Sequence, residues 1–402
     1  MRSSVRAPRV VMLIMEYPPV FSGQGIYLHR LVKGIQAAGG EVLILTADFF
    51  RLPQREVMNG IEIRRFHFHP CMPRWELRFA AAVVTFLAKN LTGFDIVHIH
   101  GYLDVYGLIG IFNKAARKKT ITQLVLLGAD DPLTIARNYR YGKVRLKLFG
   151  MQDRILVISK AIAESYDRAG LPPEKLVYTP GGVDTEVFRP ADPDEKDALK
   201  AGFGIGSFRK VVTFVGGVIK RKGVDLLVQA WREIARLHPD AVLLIVGPDS
   251  FGEDDVNGNQ LMAFINSMKA EVREHSLNVR FVGRTDKVED YLRCSDVFVL
   301  PSRKEGFGYV IIEAMACGVP PVISYMDGVS NETVKHGVDG LVINDVYELT
   351  GSIDKLLSDA GYAKQMGASA RKKAVEYFDL NRIAEQYYDL YASLIMDGKS
   401  RR

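Results

Sequence analysis

Short apolar runs rich in β-branched residues alternate with longer helical patterns along almost the entire chain. Runs of this kind, separated by helices, indicate parallel strands that are buried on both faces. We therefore predict an α/β protein built on doubly wound parallel sheets. The predicted strands are 10–15, 42–46, 95–100, 121–126, 154–158 and 175–178, followed by 211–215, 241–246, 279–282, 297–300, 322–324 and 341–343.

The alternation stops once, near the middle of the chain, at a segment rich in turn residues. Residues 179–184 contain a proline and two glycines, and the pattern resumes only after Pro190 and Pro193. Because such a cluster marks a linker, we predict two Rossmann-like domains, 1–190 and 191–378. A chain of 402 residues accommodates two domains of ordinary size. Such domains bind ligands beyond the carboxyl ends of their strands, so we expect the functional residues to meet in an interdomain cleft.

Residues 379–402 follow the second domain and have a helical pattern of their own. Ile383, Tyr387, Leu390 and Leu394 recur at helical spacing and form an apolar stripe that needs a surface to cover it. We expect this helix to cross back and pack on the first domain.

The most specific segment for function lies between residues 297 and 320. An apolar strand leads into a glycine-punctuated loop, and the helix that follows is stopped by Gly318 and Pro320. A loop of this kind leaves backbone N–H groups free at the helix start, where they bind anions such as phosphate. Glu305 precedes the helix, and Glu313 lies roughly 7–8 Å along it from a start near Gly308. This spacing suits a ligand with phosphates at one end and hydroxyls further on, as in a sugar nucleotide.

The alternative for these two glutamates is a solvent-exposed helix face beside an ordinary Gly-x-Gly turn. It is disfavoured because two glutamates, three glycines and two prolines occur together in this one segment.

The segment resembles the E-x7-E signature of retaining GT-B glycosyltransferases, specifically glycosyltransferase family 4. The resemblance implies that Glu305 lies near the hydroxyls of the transferred sugar and that Glu313 binds the ribose of the donor. It also implies that the backbone of Gly306, Phe307 and Gly308 meets the diphosphate. The implied fold is GT-B, with two Rossmann-like domains facing an interdomain cleft.

A second basic loop follows the strand at 211–215 and resembles the Gly-Arg-x(n)-Lys-Gly element of the same family. In that element an Arg and a Lys hold the donor diphosphate. Lys222 matches the Lys, but Gly217 stands where the Arg is expected, which leaves Arg221 or Lys220 as the candidate for the second charge. Cations at a helix N-terminus are unfavourable unless an anion binds there, which favours an anion site over a solvent-facing helix end.

The first strand is also followed by glycines, Gly23 and Gly25, at a strand-to-helix turn. Two interpretations are equally good: a tight turn, or a close approach of backbone to a ligand. The dinucleotide fingerprint G-x-G-x-x-G is absent because position 28 is Leu, which argues against a dehydrogenase. The family resemblance implies that this loop faces the donor diphosphate and the acceptor.

Two histidines, His98 and His100, share one face of the strand at 95–100. A structural role and a metal-ligating role are both alternatives for such a pair, although no third ligand recurs nearby. The family has a His at the end of this strand that contacts the transferred sugar. His100 matches it better, and His98 remains the alternative.

Three further positions carry weaker signals. Gly283 and Arg284 follow a strand and resemble the family's loop beside the nucleotide base. Asp130 is a candidate for acceptor contact, but N-capping of the next helix is the favoured interpretation. Asp192, in the only Asp-x-Asp of the chain, lies between prolines and is predicted to be a cap and not a metal ligand.

Composition restricts the partners. The net charge is +6, and the densest basic stretch, 137–147, fits a solvated helix face, an acceptor-phosphate site or a contact with anionic lipid. A nucleic-acid-binding surface is not indicated. Cys71, Cys294 and Cys317 are far apart and show no metal spacing, which favours reduced thiols in a cytosolic protein. No signal peptide or transmembrane run is indicated, so we predict a cytoplasmic protein, with peripheral contact at the inner membrane face as an open alternative.

Together these features predict a retaining, metal-independent glycosyltransferase without a resident cofactor. The donor is a nucleotide sugar, with UDP-sugars ahead of GDP-mannose, and the acceptor is a glycan, a lipid or a small molecule. We expect Lys222 and the helix start to stabilise the departing diphosphate, while Glu305 and His100 position the sugar. A GT-B sugar-nucleotide epimerase and a catalytically silent nucleotide-sugar-binding subunit are the alternatives. The sequence does not predict the oligomeric state.

Overall fold

The computed structural model describes residues 6–20, 22–48, 50–68, 74–101, 106–138, 141–250 and 258–400. The chain divides into two compact units. Unit 1 comprises Met1–Gly182 together with Leu380–Arg402, and unit 2 comprises Val183–Asp379. The predicted Cys71 thiol lies outside the described residues.

Unit 1 contains a mixed set of strands and helices in the described part of the chain. Its strands are β1 (Arg9–Ile14), β2 (Glu41–Asp48), β3 (Arg55–Met58), β4 (Ile61–His67), β5 (Ile96–His100), β6 (Lys119–Leu124), β7 (Arg154–Val157) and β8 (Leu176–Tyr178). Its helices are α1 (Gly23–Ala37), α2 (Trp75–Lys89), α3 (Tyr106–Ala115), α4 (Pro132–Asn138), α5 (Gly142–Phe149) and α6 (Lys160–Arg168), and the C-terminal helix described below.

The strands of unit 1 form one sheet in the order β3-β4-β2-β1-β5-β6-β7-β8. All neighbouring pairs are parallel except β3 and β4. Strands β2, β3 and β4 lie on one side of β1. The chain then crosses to β5 on the other side of β1 and continues outward through β6, β7 and β8. This arrangement puts a topological switch point between β1 and β5, where open α/β sheets bind ligands.

A β-hairpin that the apolar pattern did not predict forms the edge of this sheet. β3 and β4 pair antiparallel across Asn59 and Gly60, both of which have positive φ. Both strands alternate in burial, but only β4 contains buried residues, among them Ile61 and Ile63, and the strands carry charged residues on the other face. A search for continuous apolar runs therefore misses this hairpin.

Unit 2 contains α7 (Pro193–Gly202), β9 (Lys210–Val215), α8 (Val224–Leu237), β10 (Ala241–Val246), α9 (Gly258–Glu274), β11 (Val279–Gly283), α10 (Val288–Arg293) and β12 (Val297–Leu300). It continues with α11 (Tyr309–Ala316), β13 (Pro321–Ser324), α12 (Ser330–Thr333), β14 (Leu341–Ile343), α13 (Val346–Ser358) and α14 (Ala360–Tyr377). The sheet order is β11-β10-β9-β12-β13-β14, with every pair parallel. The switch point of this sheet lies between β9 and β12.

The division between the units falls at Gly182, eight residues before the boundary placed at Pro190. The intervening residues belong to unit 2 because they are bonded to its last segment. The N–H of Val183 donates to the carbonyl of Phe378 at 2.7 Å, and the hydroxyl of Thr185 donates to Asp379 at 2.6 Å.

The last helix, α15 (Leu380–Ser400), belongs to unit 1 and packs on α1. A Cβ atom added at Gly34 would lie 2.6 Å from Cβ of Ala384, so the two helices approach closely because position 34 has no side chain. The buried stripe differs from the predicted one: Leu390 is only partly buried, and Tyr391 lies fully inside. Among the described helices, none is both long and apolar enough to span a membrane.

Candidate functional site

The switch point of unit 2 brings together the two loops that the sequence singled out. The loop after β9 contains a 3₁₀ turn, Lys220–Lys222, and the loop after the neighbouring strand β12 contains Glu305. The two loops touch at backbone level, since a Cβ atom added at Gly223 would lie 1.9 Å from the carbonyl oxygen of Pro301. Gly223 also has φ +73, so the position requires glycine on both counts.

Glu305 forms the centre of this cluster. Its side chain is only 7% exposed, and Oε1 accepts hydrogen bonds from Nζ of Lys222 at 2.7 Å and from Oγ of Ser302 at 2.6 Å. A buried carboxylate needs such compensation, because an unpaired charge away from water is costly. The lysine expected at the diphosphate is thus paired with the carboxylate expected at the sugar. Ser302, which carried no signal in the sequence, completes the cluster.

Arg221 supplies a second cation at the same carboxylate. Its NH1 lies 3.6 Å from Oε2 of Glu305 and donates to the carbonyl of Lys304 at 2.6 Å. Arg221 and Lys222 are adjacent in the 3₁₀ turn that ends at Gly223, yet both side chains reach the carboxylate of Glu305. Arg221, which is partly exposed, is therefore the better candidate for the charge missing at Gly217.

The 3₁₀ turn is held in place by an ion pair that the sequence did not reveal. Arg303 forms a two-bond contact with Asp225, with both nitrogen–oxygen distances at 2.8 Å. The backbone N–H of Arg303 also donates to the carbonyl of Arg221 at 2.8 Å. Paired hydrogen bonds of an arginine with a carboxylate fix orientation as well as distance.

Two helices begin at this cluster without a capping side chain. Gly223 precedes α8 and Gly308 precedes α11, both in the left-handed conformation, and among the described residues no side chain caps either helix start. Uncapped N-terminal N–H groups together with the helix dipole favour an anion. Phe307 is buried against Tyr309 and Phe378, so its ring supports the loop while the backbone of Gly306–Gly308 borders the helix start.

The remaining predicted residues of unit 2 lie in neighbouring elements. Glu313 is half-buried in α11, about one turn beyond the helix start. Gly283 ends β11 with φ +79, and Arg284, which follows it, is exposed. Asp192 accepts a hydrogen bond from the N–H of Glu195 at 2.8 Å, which confirms that it caps α7. Within the described residues, no group of three or more metal-ligating side chains is placed to hold a metal ion.

In unit 1, both predicted histidines lie in β5, beside the switch point. Their rings stack with centroids 4.2 Å apart, as two residues on one face of a strand should. Nδ1 of His98 is hydrogen-bonded to the hydroxyl of Tyr391 at 2.7 Å, whereas His100 ends the strand. Burial lowers the pKa of His100 to about 3, so its imidazole is neutral at physiological pH.

The two glycines at the start of α1 differ in their surroundings. A Cβ atom at Gly25 would lie 2.6 Å from the carbonyl oxygen of Glu16, so this position needs glycine for packing. A Cβ atom at Gly23 would meet no atom within 4 Å, and this residue is exposed. Ser22 caps the helix by accepting from the N–H of Gly25 at 3.4 Å. Packing against the backbone of Glu16 therefore explains the glycine at position 25 without a ligand.

Asp130 is not the helix cap that was expected. The cap of α4 is Asp131, which accepts from the N–H of Thr134 at 3.1 Å. Asp130 instead turns back and accepts from the N–H groups of Val125 and Leu126, at 2.8 and 2.7 Å. Burial raises the pKa of Asp130 to about 7, although these two N–H groups partly oppose the shift.

The basic stretch at 137–147 is divided between α4 and α5, with residues 139 and 140 outside the described part. Tyr141 and Val144 are exposed beside Lys143 and Lys147. A cavity of about 380 Å³ lies next to α5; its lining includes Lys114, Lys147, Leu146, Leu171 and Lys175.

Two family models match most of the chain between them. Residues 21–187 match the model described as Glycosyltransferase Family 4, and residues 195–373 match the model described as Glycosyl transferases group 1. The two matched regions contain the site residues of the respective units.

Individual relatives cover nearly the full chain. It is 27% identical over 401 residues to N-acetyl-alpha-D-glucosaminyl L-malate synthase of Bacillus anthracis, covering 96% of this chain and 97% of the relative. It is 27% identical to alpha-maltose-1-phosphate synthase of Mycolicibacterium smegmatis, covering 95% and 98%. The fold resembles that of Anabaena HepE, solved in complex with UDP and glucose, with a TM-score of 0.75, 20% identity, and coverage of 96% and 100%.

Two parallel-sheet units with this strand order, matched in turn by the two family models, define a glycosyltransferase of the GT-B fold. The chain belongs to glycosyltransferase family 4.

Proposed function

We propose that this glycosyltransferase transfers a sugar from a nucleotide-sugar donor with retention of anomeric configuration. The observation that carries the proposal is the cluster in unit 2, where Lys222 and Arg221 meet Glu305 between two uncapped helix starts. The cations and helix N–H groups suit a diphosphate, and the buried carboxylate is an acceptor for sugar hydroxyls.

The chemistry follows from where charge develops. As the glycosidic bond to the diphosphate breaks, negative charge accumulates on the departing phosphate oxygen. Lys222 and the N–H groups at the start of α11 stabilise that charge. A departing phosphate oxygen on the same face accepts the proton of the acceptor hydroxyl, so no protein base is needed. Glu305 stabilises the positive character of the sugar ring, and Glu313 holds the ribose.

For unit 1 we propose that His100 contacts the transferred sugar. Its Nε2 is buried and has no hydrogen-bond partner among the described residues. Because burial keeps the ring neutral, Nε2 interacts with a hydroxyl as a neutral donor or acceptor and adds no charge.

We propose a UDP-sugar as the donor. The support is the structural likeness to HepE, which was solved with UDP and glucose. A thermal-shift screen with UDP, GDP and ADP should show the largest stabilisation with UDP, since a ligand that binds only the folded state raises its stability. Transfer assays with the matching UDP-sugars then test the activity. Stabilisation by GDP alone would replace UDP-sugars with GDP-mannose.

The same assays separate the alternatives. An epimerase would convert the donor's sugar without an acceptor, and a silent binding subunit would be stabilised by nucleotide without turnover. Gly217 in place of the expected Arg favours the silent subunit, whereas our assignment of the second charge to Arg221, 3.6 Å from Glu305, favours an active enzyme.

Transfer should survive EDTA. Lys222, Arg221 and the helix N–H groups supply the positive charge that a divalent ion would otherwise bring to the diphosphate. The initial rate should be the same before and after exhaustive chelation. A complete loss of rate that magnesium or manganese restores would contradict the metal-independent mechanism.

Arg221→Ala should weaken donor binding and transfer by about tenfold, as expected for the loss of one hydrogen bond to a charged group. Lys220→Ala is the matched control from the same turn, and its kcat/KM should stay within about twofold of the parent, as expected for an exposed side chain outside the group that contacts Glu305. Donor kcat/KM measures both. The opposite ranking would assign the second charge to Lys220.

We also propose that the protein is cytoplasmic and makes a peripheral contact with anionic membrane through α5. Exposed Tyr141 and Val144 beside Lys143 and Lys147 suit such a surface. Sedimentation with vesicles containing anionic lipid should recover the protein, and Lys143→Glu with Lys147→Glu should abolish recovery. A double variant of equal charge at Lys89 and Lys364 should still sediment; equal losses would indicate non-specific attraction.

A further inference from the structure

Three aromatic rings form a stack beside the switch point of unit 1 and connect α15 to His100. The ring of His98 stacks on His100 at 4.2 Å and, in a roughly parallel orientation, lies 5.8 Å from the ring of Tyr387. All three are buried: His98 and Tyr387 are wholly inaccessible and His100 is 4% exposed. His100 is thus packed directly against a ring that contacts the C-terminal helix.

His98, the middle ring of the stack, makes a single side-chain hydrogen bond among the described residues. Nδ1 of His98 is 2.7 Å from the hydroxyl of Tyr391, while its Nε2 has no partner. Burial holds the pKa of His98 well below its usual range, so the ring is neutral and has one donor and one acceptor nitrogen. The Tyr391 hydroxyl can donate to Nδ1 or accept from it, so in either tautomer this hydrogen bond opposes rotation of the ring by 180°.

Loss of the hydrogen bond between Tyr391 and His98 would change the orientation of the His98 ring. Without the Tyr391 hydroxyl, the buried Nδ1 would be left unsatisfied, and the ring would gain alternative orientations. Because His100 packs on that ring, its own orientation would change too. Close packing transmits a small displacement from one ring to the next, since a dense interior leaves no free volume to absorb it.

We infer that Tyr391 is a positioning residue for transfer: through His98 it holds the ring of His100 in the orientation that meets the sugar. The inference rests on the proposed contact between His100 and the transferred sugar. It gives α15 a role in the reaction beyond packing on α1.

The first test is Tyr391→Phe, which removes one oxygen atom and keeps the buried ring. We expect kcat to fall about tenfold with little change in the donor KM, since a misplaced contact group affects the transition state more than binding.

Tyr387→Phe is the matched control, because this ring stacks on His98 without bonding to its Nδ1, and its kcat should stay near that of the parent. His98→Phe removes the same hydrogen bond from the other side and should reproduce the loss. Equal losses in Tyr391→Phe and Tyr387→Phe would overturn the inference.

Double variants show whether Tyr391 acts through His100. Added to His100→Ala, Tyr391→Phe should cause no further loss, whereas an independent structural effect would multiply the two losses. If His100→Ala impairs transfer but Tyr391→Phe does not, the inference is wrong and the role of His100 stands. If His100→Ala leaves transfer unchanged, the proposed role of His100 fails and the inference fails with it.

The nitrogen-15 spectrum of histidine-labelled protein gives a readout independent of activity. Tyr391→Phe should shift the ring resonances of both His98 and His100, whereas Tyr387→Phe should leave the tautomer of His98 unchanged. A His100 resonance that does not respond to Tyr391→Phe would show that Tyr391 does not position His100 and would overturn the inference.

Discussion

Lys222→Ala is expected to lower kcat by about 10²–10³-fold, the usual cost of removing one group that stabilises developing charge in a transition state. Lys222 ends the 3₁₀ turn that precedes α8 and contacts Glu305 at 2.7 Å, so its charge is held in place before the donor binds. The donor KM should rise as well, because the same charge attracts the diphosphate in the ground state. Steady-state kinetics with a saturating acceptor measure both effects.

Two controls belong with this variant. Lys220→Ala removes a cation of the same 3₁₀ turn whose side chain is exposed, and it should behave like the parent. The melting temperature of Lys222→Ala should be compared with that of the parent, because removing Lys222 leaves the buried carboxylate of Glu305 with fewer partners. A well-folded Lys222→Ala enzyme with unchanged kinetics would place the anion site elsewhere.

The strand pattern was the most predictable level of the structure, for a physical reason. Strands of a parallel sheet covered on both faces are apolar at nearly every position, so each of the predicted runs corresponds to an observed strand. The hairpin of β3 and β4 lies at the sheet edge and keeps one polar face, so this criterion missed it. Asn59 and Gly60, a turn pair typical of hairpins, were the signal that could have revealed it.

The sequence named Lys222, Arg221 and Glu305 as candidates, but it did not reveal how they are arranged. Lys222 and Glu305 are 83 positions apart, and they meet because β9 and β12 are neighbours in the sheet. Strand order depends on how the crossovers wind, which local patterns do not encode. Arg221 also lies near this carboxylate, with NH1 3.6 Å from Oε2, a contact that spans 84 positions and that the order of residues in the loop does not reveal.

Two further differences from the predictions have different causes, one a contact between distant segments and the other a local turn. Tyr391 was not part of the predicted apolar stripe, yet it reaches His98 across 293 positions. Asp131, and not Asp130, caps α4, because Asp130 is drawn back to the N–H groups of the loop that follows β6. Neighbouring acidic residues at a strand-to-helix turn have equal capping propensity, so the backbone path decides between them.

Glu305→Gln should separate binding from transfer, with a fall in kcat of about 10²-fold, comparable to the loss of one electrostatic contact in a transition state. Glutamine keeps an oxygen that can accept from Ser302 and Lys222 but removes the negative charge at the proposed sugar site. Free UDP should bind at least as tightly as to the parent, because Lys222 no longer leaves an ion pair in order to meet the diphosphate. Calorimetric titration with UDP measures the affinity, and kinetics with the UDP-sugar measure kcat.

Glu313→Ala is the matched comparison, and it should show the opposite profile. A ribose contact contributes equally to the ground state and the transition state, so its loss should raise the donor KM about tenfold and leave kcat nearly unchanged. Glu305→Gln with weakened UDP binding would assign Glu305 to the nucleotide. Identical profiles for the two variants would mean that the carboxylates do not divide the donor into a sugar end and a ribose end. Opposite profiles would support that division, because only a group beside the reacting carbon changes its interaction energy as the glycosidic bond breaks.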